Sequence, residues 1–222
     1  NQLEEQLDKK LSKNDDLSWE DVMPQLYEIG EKLRWSWGVI SHLNAVCNST
    51  ELREVHSNQQ PKIVRFSNQL AQNEVIYKAL LNLKEHGHIK NETQIRIIQT
   101  ELITMKNKGI GLEIDEKTLF NSRSERLADL STIFSNNVLD ATKNWSLLLK
   151  NYSEVEGLPE RALETLALAA KEAGDKDGEG NNPTASSGPW RVGLDLPRYI
   201  PFQTYAKNRI VREKVYRAFV SR

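Results

Sequence analysis

"SWEDVMPQLYEIGEKLRWSWGVISHLNAV", residues 18–46, decides the fold class. Val22, Leu26, Ile29, Leu33, Trp37 and Ile40 recur at steps of three or four, which places them along one side of a helix with that face buried. Ser18 followed by Asp21 has the spacing of a capping box, and Pro24 falls near the first turn. The stretch therefore predicts a helix from Ser18 to about Val46.

Outward from it the pattern repeats. Residues 48–87 read as a second helical stretch, bent or interrupted at Pro61, where a backbone donor is missing and the ring crowds the preceding turn, and ended by Gly87. Asn91 caps a third helix with Gln94 at the N3 position and Ile95, Ile98, Leu102 and Met105 as its apolar stripe. After the Gly109–Gly111 turn, Asp115 opens the longest helix, which carries Leu119, Leu127, Leu130, Phe134 and Val138 to about Thr142. Long helices joined by short polar turns predict antiparallel neighbours in a bundle, so the class is mainly α. Upstream, residues 1–17 form a charged segment with only Leu3, Leu7 and Leu11 as a stripe, a short helix or a frayed end. The main domain is expected over 18–222.

The character changes after Thr142. "WSLLLKN" (145–151) is a short apolar run, and "SSGPWRVGLDLPRYIPF" (186–202) reads as a strand over 190–196 leading into a kinked aromatic segment. A single strand cannot satisfy its own N–H and C=O groups, so the two runs are expected to pair near the C-terminal end. Between them lie a helix that starts near Pro159 and ends at Gly174, and the segment 175–188, which has no aromatic or large aliphatic residue. That composition predicts a mobile loop, and a final helix is expected from about Tyr205 to Arg222.

Composition limits the function. Thirty Lys+Arg against 31 Asp+Glu leave a net charge of −1, and no basic face with interleaved aromatics is visible, so nucleic acid is not an expected partner. No apolar run approaches the ~20 residues that cross a bilayer, so neither is a membrane. The lone Cys47 excludes an internal disulfide framework and reads as a packing thiol in a reducing compartment. Sequons at Asn48, Asn91, Asn144 and Asn151 matter only in a secreted protein. The chain opens with Asn1, so an upstream targeting segment is left open.

No catalytic or metal-ligating constellation can be assembled. His42 and His56 fall on separate helical stretches; His86 and His88 sit two apart at a helix end, a poor spacing for zinc. HExxH, which would set two imidazoles one turn apart around a general-base glutamate, does not occur. "GIGLEI" lacks the glycines of a phosphate loop, and no serine sits in a nucleophile elbow. Tyr27, Trp35 and Trp37 read as core aromatics, and "RSERLAD" (123–129) as a solvated helix face.

Three segments, "VISHLNAVCNSTELREV" (39–55), "FSNNVLDATKNW" (134–145) and "LDLPRYIPFQTYAKNRIVREKVYRAFVSR" (194–222), resemble in order and separation the N-terminal region of oligopeptidase A and the thimet-type oligopeptidases. The resemblance covers about residues 18–222. It implies a zinc metallo-endopeptidase of short peptides, with a helical body split by a deep channel and the zinc site on an HExxH helix in the C-terminal portion. This chain would then be the non-catalytic N-terminal region, one channel wall, with the catalytic domain absent and zinc held only in the full-length family. Arg198 and Tyr199, in the proline-flanked segment, are the residues expected to touch substrate or the other domain. Partners implied are short peptides in the whole enzyme, and either the catalytic domain or a second copy at the exposed cleft face. Strands of the absent half could extend the strand pair. The implied compartment is the cytoplasm or a chloroplast or mitochondrial interior. The alternative is a natural truncated paralogue that acts as a binding or regulatory module.

Overall fold

A computed structural model of the protein describes residues 2–13, 16–87, 89 and 91–222. Ten helices and two strands are found among the described residues, in two compact units, residues 1–132 and 133–222. The mainly α class with a short strand pair near the C-terminal end is the architecture observed.

The first unit holds α1 (Gln2–Ser12), α2 (Trp19–Val46), α3 (Thr50–Ala71), α4 (Glu74–His86), α5 (Glu92–Asn107) and the first part of α6 (Ile114–Asn144). Its core is centred on α4, where Ile76, Ala79, Leu80 and Leu83 meet Val22 and Met23 of α2 and Ile98, Leu102 and Met105 of α5. Leu3 and Leu7 join this core, because leucines one turn apart give α1 a narrow apolar edge that suffices for docking. The Asp21 carboxylate accepts from the backbone N–H of Ser18 at 3.0 Å and from its hydroxyl at 2.9 Å, which fixes the start of α2. Lys10 of α1 also bonds this carboxylate, and together these contacts hold the Asp21 pKa below the usual carboxylate value, the lysine bond being the largest cause.

Two expectations are corrected here, for α3 and α2, and α6 adds an exposed apolar stripe. α3 runs through Pro61 uninterrupted; the break comes at Gln72–Asn73. There the Gln72 N–H closes on the Asn68 carbonyl at 2.8 Å, and the Asn73 side chain accepts from the Ile76 N–H at 3.0 Å to start α4. The α2 stripe is fully buried only at Val22, with Met23 beside it; Leu26 packs half-buried against the α4-centred core, and Ile29, Leu33, Trp37 and Ile40 are not among that core's residues. α6 buries none of its residues, and Leu127 and Phe134 are 67% and 68% exposed. In the first unit it is held by polar contacts instead: Glu125 accepts two bonds of 2.9 Å from Arg65, and Gln60 accepts from Thr132 at 2.7 Å.

The second unit continues from the last part of α6 with β1 (Ser146–Leu149), α7 (Tyr152–Val155), α8 (Glu160–Glu172), β2 (Trp190–Gly193), α9 (Leu196–Tyr205) and α10 (Arg209–Val220). β1 and β2 pair antiparallel in the register Ser146↔Gly193, Leu147↔Val192, Leu148↔Arg191, Leu149↔Trp190. The strand's partner thus lies in this chain. Helix α8 packs Leu163, Leu166 and Ala167 onto the pair, and Phe202 and Val215 complete a core in which Trp190 is 1% exposed. Two strands suffice because helices supply the apolar cover that an isolated hairpin lacks.

Here too the ends of elements differ from expectation. The strand stops at Gly193 rather than 196, and the expected kinked segment is helix α9, with Asp195 at its N-cap and Pro197 in its first turn, where a missing N–H costs nothing. The last helix begins at Arg209, not Tyr205, because the Asn208 side chain accepts from the Val211 N–H at 3.2 Å. Segment 175–188 carries a dense set of polar contacts: both Asp175 oxygens take the Arg191 guanidinium at 2.7 and 2.8 Å, and Asp177 accepts from the Glu179 and Asn181 N–H groups at 2.9 and 2.7 Å.

Candidate functional site

The described histidines do not assemble a reaction centre. His42 and His86 are exposed, and His88 lies outside the described residues. His56, on α3, is 7% exposed, stacks on Trp37 of α2 with ring centroids 4.5 Å apart, and has Nε2 3.5 Å from the Ser41 hydroxyl. Burial pushes its pKa down, which favours the neutral ring. Its Nδ1 has no hydrogen-bond partner, so no third group orients the imidazole as a base toward Ser41. Among the described residues no three His, Cys, Asp or Glu side chains gather where they could hold a metal ion. Cys47, expected to pack, is exposed at the C-cap of α2, because the helix ends there, beyond the α4-centred core.

The second unit places Arg198 and Tyr199 side by side at the start of α9, yet engages them differently. The Arg198 Nε donates to the Asp195 carboxylate at 3.0 Å. Its guanidinium lies so close over Gly193 that a Cβ there would stand 2.5 Å from Cζ; glycine at the end of β2 is what leaves room. Tyr199 stacks on Phe219 of α10, with centroids 3.9 Å apart and planes at 14°. Arg222 lies 3.7 Å over the other partner of that stack and bonds the Leu194 carbonyl at 3.2 Å. Burial raises the Tyr199 phenol pKa, and the nearby Tyr216 adds to this. The pair is thus half-buried and braced, with about a quarter of the Arg198 side chain, 27%, exposed.

The first unit contains a concavity that was not foreseen. Where α2 leaves the core, it forms with α3 and α5 an open groove of about 690 Å³, lined by Leu33 and Trp37 of α2, Ile63 and Phe66 of α3, and Met105 of α5. That volume falls within the range of ligand sites. Tyr27 and Glu101 also line it. Burial raises the Glu101 pKa, and the Tyr27 phenol is raised by burial and then by the charge of Glu101. Trp37, expected in the core, forms a groove wall, and Trp35 is exposed, its Nε1–H bonded to Glu31 at 3.0 Å. A signal for Glu101 stood in the sequence: it follows Ile98 by three and precedes Met105 by four, an acid set within an apolar stripe.

Over residues 1–117 the chain matches the family described as "Neurolysin/Thimet oligopeptidase, N-terminal domain". It is 39% identical over 223 residues to "Probable cytosolic oligopeptidase A" of Arabidopsis thaliana, an alignment that takes in 100% of this chain and 31% of that protein. To "Organellar oligopeptidase A, chloroplastic/mitochondrial" of the same plant it is 37% identical over 216 residues, 96% of this chain and 27% of the relative. To "Oligopeptidase A" of Escherichia coli (strain K12) it is 33% identical over 224 residues, 100% and 31% respectively. The chain spans about a third of the length of the curated relatives it matches. It belongs to the neurolysin/thimet oligopeptidase family, and what it contains is that family's N-terminal region.

Proposed function

We propose that this chain is the non-catalytic N-terminal region of an oligopeptidase A-like zinc metallo-endopeptidase that degrades short peptides, and that it forms one wall of the substrate channel. The observation that carries the reading is helix α6. Its Leu119, Leu127, Leu130 and Phe134 repeat at helical spacing yet stand exposed on a 31-residue helix without a buried residue. An apolar stripe of that length has the character of a surface that another part of a larger protein covers. The share of the relatives' length that this chain spans supports the same view.

The described residues do not fit a zinc ion, so no chemical step is assigned to them. Their part is to bind and to exclude. Arg198 would meet substrate or the catalytic domain through the exposed part of its side chain, with Asp195 fixing its direction, and Tyr199 would hold that segment in place through its stack on Phe219. The compartment would be the cytosol or an organelle interior, as the names of the two plant relatives say of those proteins. No described helix is long and apolar enough to cross a membrane.

An immunoblot of native cells with antibody raised against residues 1–222 tests the reading. A band about three times heavier than 25.4 kDa supports it. A sole band near 25 kDa would instead favour a truncated paralogue acting as a binding module.

A further inference from the structure

The α2–α3–α5 groove pairs an apolar lining with a carboxylate that has no counter-charge. Glu101 projects into it from α5, and among the described residues no hydrogen bond or ion pair reaches its carboxyl. The other charges on the rim do not supply one. Arg34 is engaged by Glu31, with Nε at 3.0 Å from that carboxylate. Lys108 lies seven residues from Glu101, about 10 Å along the helix axis. A carboxylate drawn partly out of water is costly unless a cation joins it, and burial alone holds its pKa up. The phenol of Tyr27 stands within reach of its charge.

From Leu26 to Trp37 the α2 wall runs about 16 Å, the length of about five extended residues. We infer that this groove is a docking site for a short linear peptide whose apolar side chains lie on Trp37, Phe66 and Ile63 and whose single lysine or arginine pairs with Glu101. A basic side chain suits the site because its methylene stem covers apolar surface while its charged end meets the carboxylate. The inference stands apart from the channel-wall proposal, since it concerns binding to this chain alone.

The test is fluorescence anisotropy with the 222-residue chain and a labelled pentapeptide that has one central lysine between leucines. The expected result is saturable binding that weakens about tenfold when the lysine is acetylated, and by a similar factor in Glu101→Gln, with little further loss when both changes are combined. Equal binding of the acetylated peptide overturns the inference, and so does unchanged affinity in a folded Glu101→Gln chain. So does an absence of saturable binding. The peptide arm needs no variant, so misfolding cannot obscure the answer. If light scattering shows that a second copy of the chain occupies the groove and the peptide does not displace it, the assigned occupant is wrong.

Discussion

Gly157 offers a sharp test of how the second unit is held together. It has φ +95°, and a Cβ built there would stand 2.5 Å from the Tyr205 carbonyl oxygen and 3.0 Å from Cγ of Lys207. The close approach is used: the Lys207 N–H donates to the Glu156 carbonyl at 2.8 Å, and the Lys207 ammonium lies 2.8 Å from the Glu156 carboxylate. Gly157→Ala therefore meets two penalties. Left-handed backbone at a residue with a Cβ costs about 1–2 kcal/mol. Relieving the overlap by moving the α9–α10 connection costs about 1–3 kcal/mol more, as overpacking does. A total near 3 kcal/mol, at about 5 °C per kcal/mol for a cooperative unit of this size, lowers its melting temperature by about 15 °C. Gly174→Ala is the control: φ is +80°, but nothing lies within 4 Å of a Cβ, so only the backbone penalty applies and the loss is about 5–10 °C. Scanning calorimetry reads both. Gly157→Ala melting level with Gly174→Ala would refute the close-approach argument.

Other substitutions report on other parts of the molecule. Asp21→Asn removes a carboxylate whose folded pKa lies below its unfolded 3.8; the stability it confers is present above that value and lost as pH falls through the folded one. The variant should melt lower than the parent at pH 7, by about 1 kcal/mol of stability, and the gap should close as pH falls through the folded value. His56 has a folded pKa depressed below 6.5, so its contribution is present above pH 6.5 and lost as pH falls through the folded value. His56→Phe should flatten that limb of the stability–pH curve, and an unchanged limb would exclude His56 as its origin. The paired change Leu127→Ser and Phe134→Ser on exposed α6 should leave stability within about 0.5 kcal/mol while reducing binding of a hydrophobic dye; a large drop in melting temperature would mean the face is already covered. In a full-length protein, Arg198→Gln should raise KM for peptides severalfold with kcat little changed; kinetics equal to the parent's would remove Arg198 from the substrate path.

Local chemistry was the readable part of the fold. Ser18 with Asp21, Asn91 at the head of α5, and the pairing of "WSLLLKN" with the Trp190 strand follow from caps and backbone demand, which act over a few residues or admit few solutions. Packing partners were not readable. The same three-to-four spacing produced a buried stripe on α5 and an exposed one on α6, because spacing aligns side chains without saying what lies opposite. Pro61 does not interrupt α3: a missing donor marks a candidate break, yet the break falls where Asn73 caps a new helix. α9 is not legible in the sequence because its proline-flanked segment reads as kinked, although Pro197 suits a first turn. The groove depends on the three-dimensional path of α2, while Glu101 inside an apolar stripe is an anomaly visible in the sequence.

The most direct test of the channel-wall proposal is hydrolysis of a quenched fluorescent short peptide, measured in parallel with the purified 222-residue chain and with the native protein captured by antibody to it. The proposal predicts chelator-sensitive cleavage by the native protein and none by the chain. Chelator-sensitive cleavage by the chain itself, or a native protein that cleaves nothing, would contradict it.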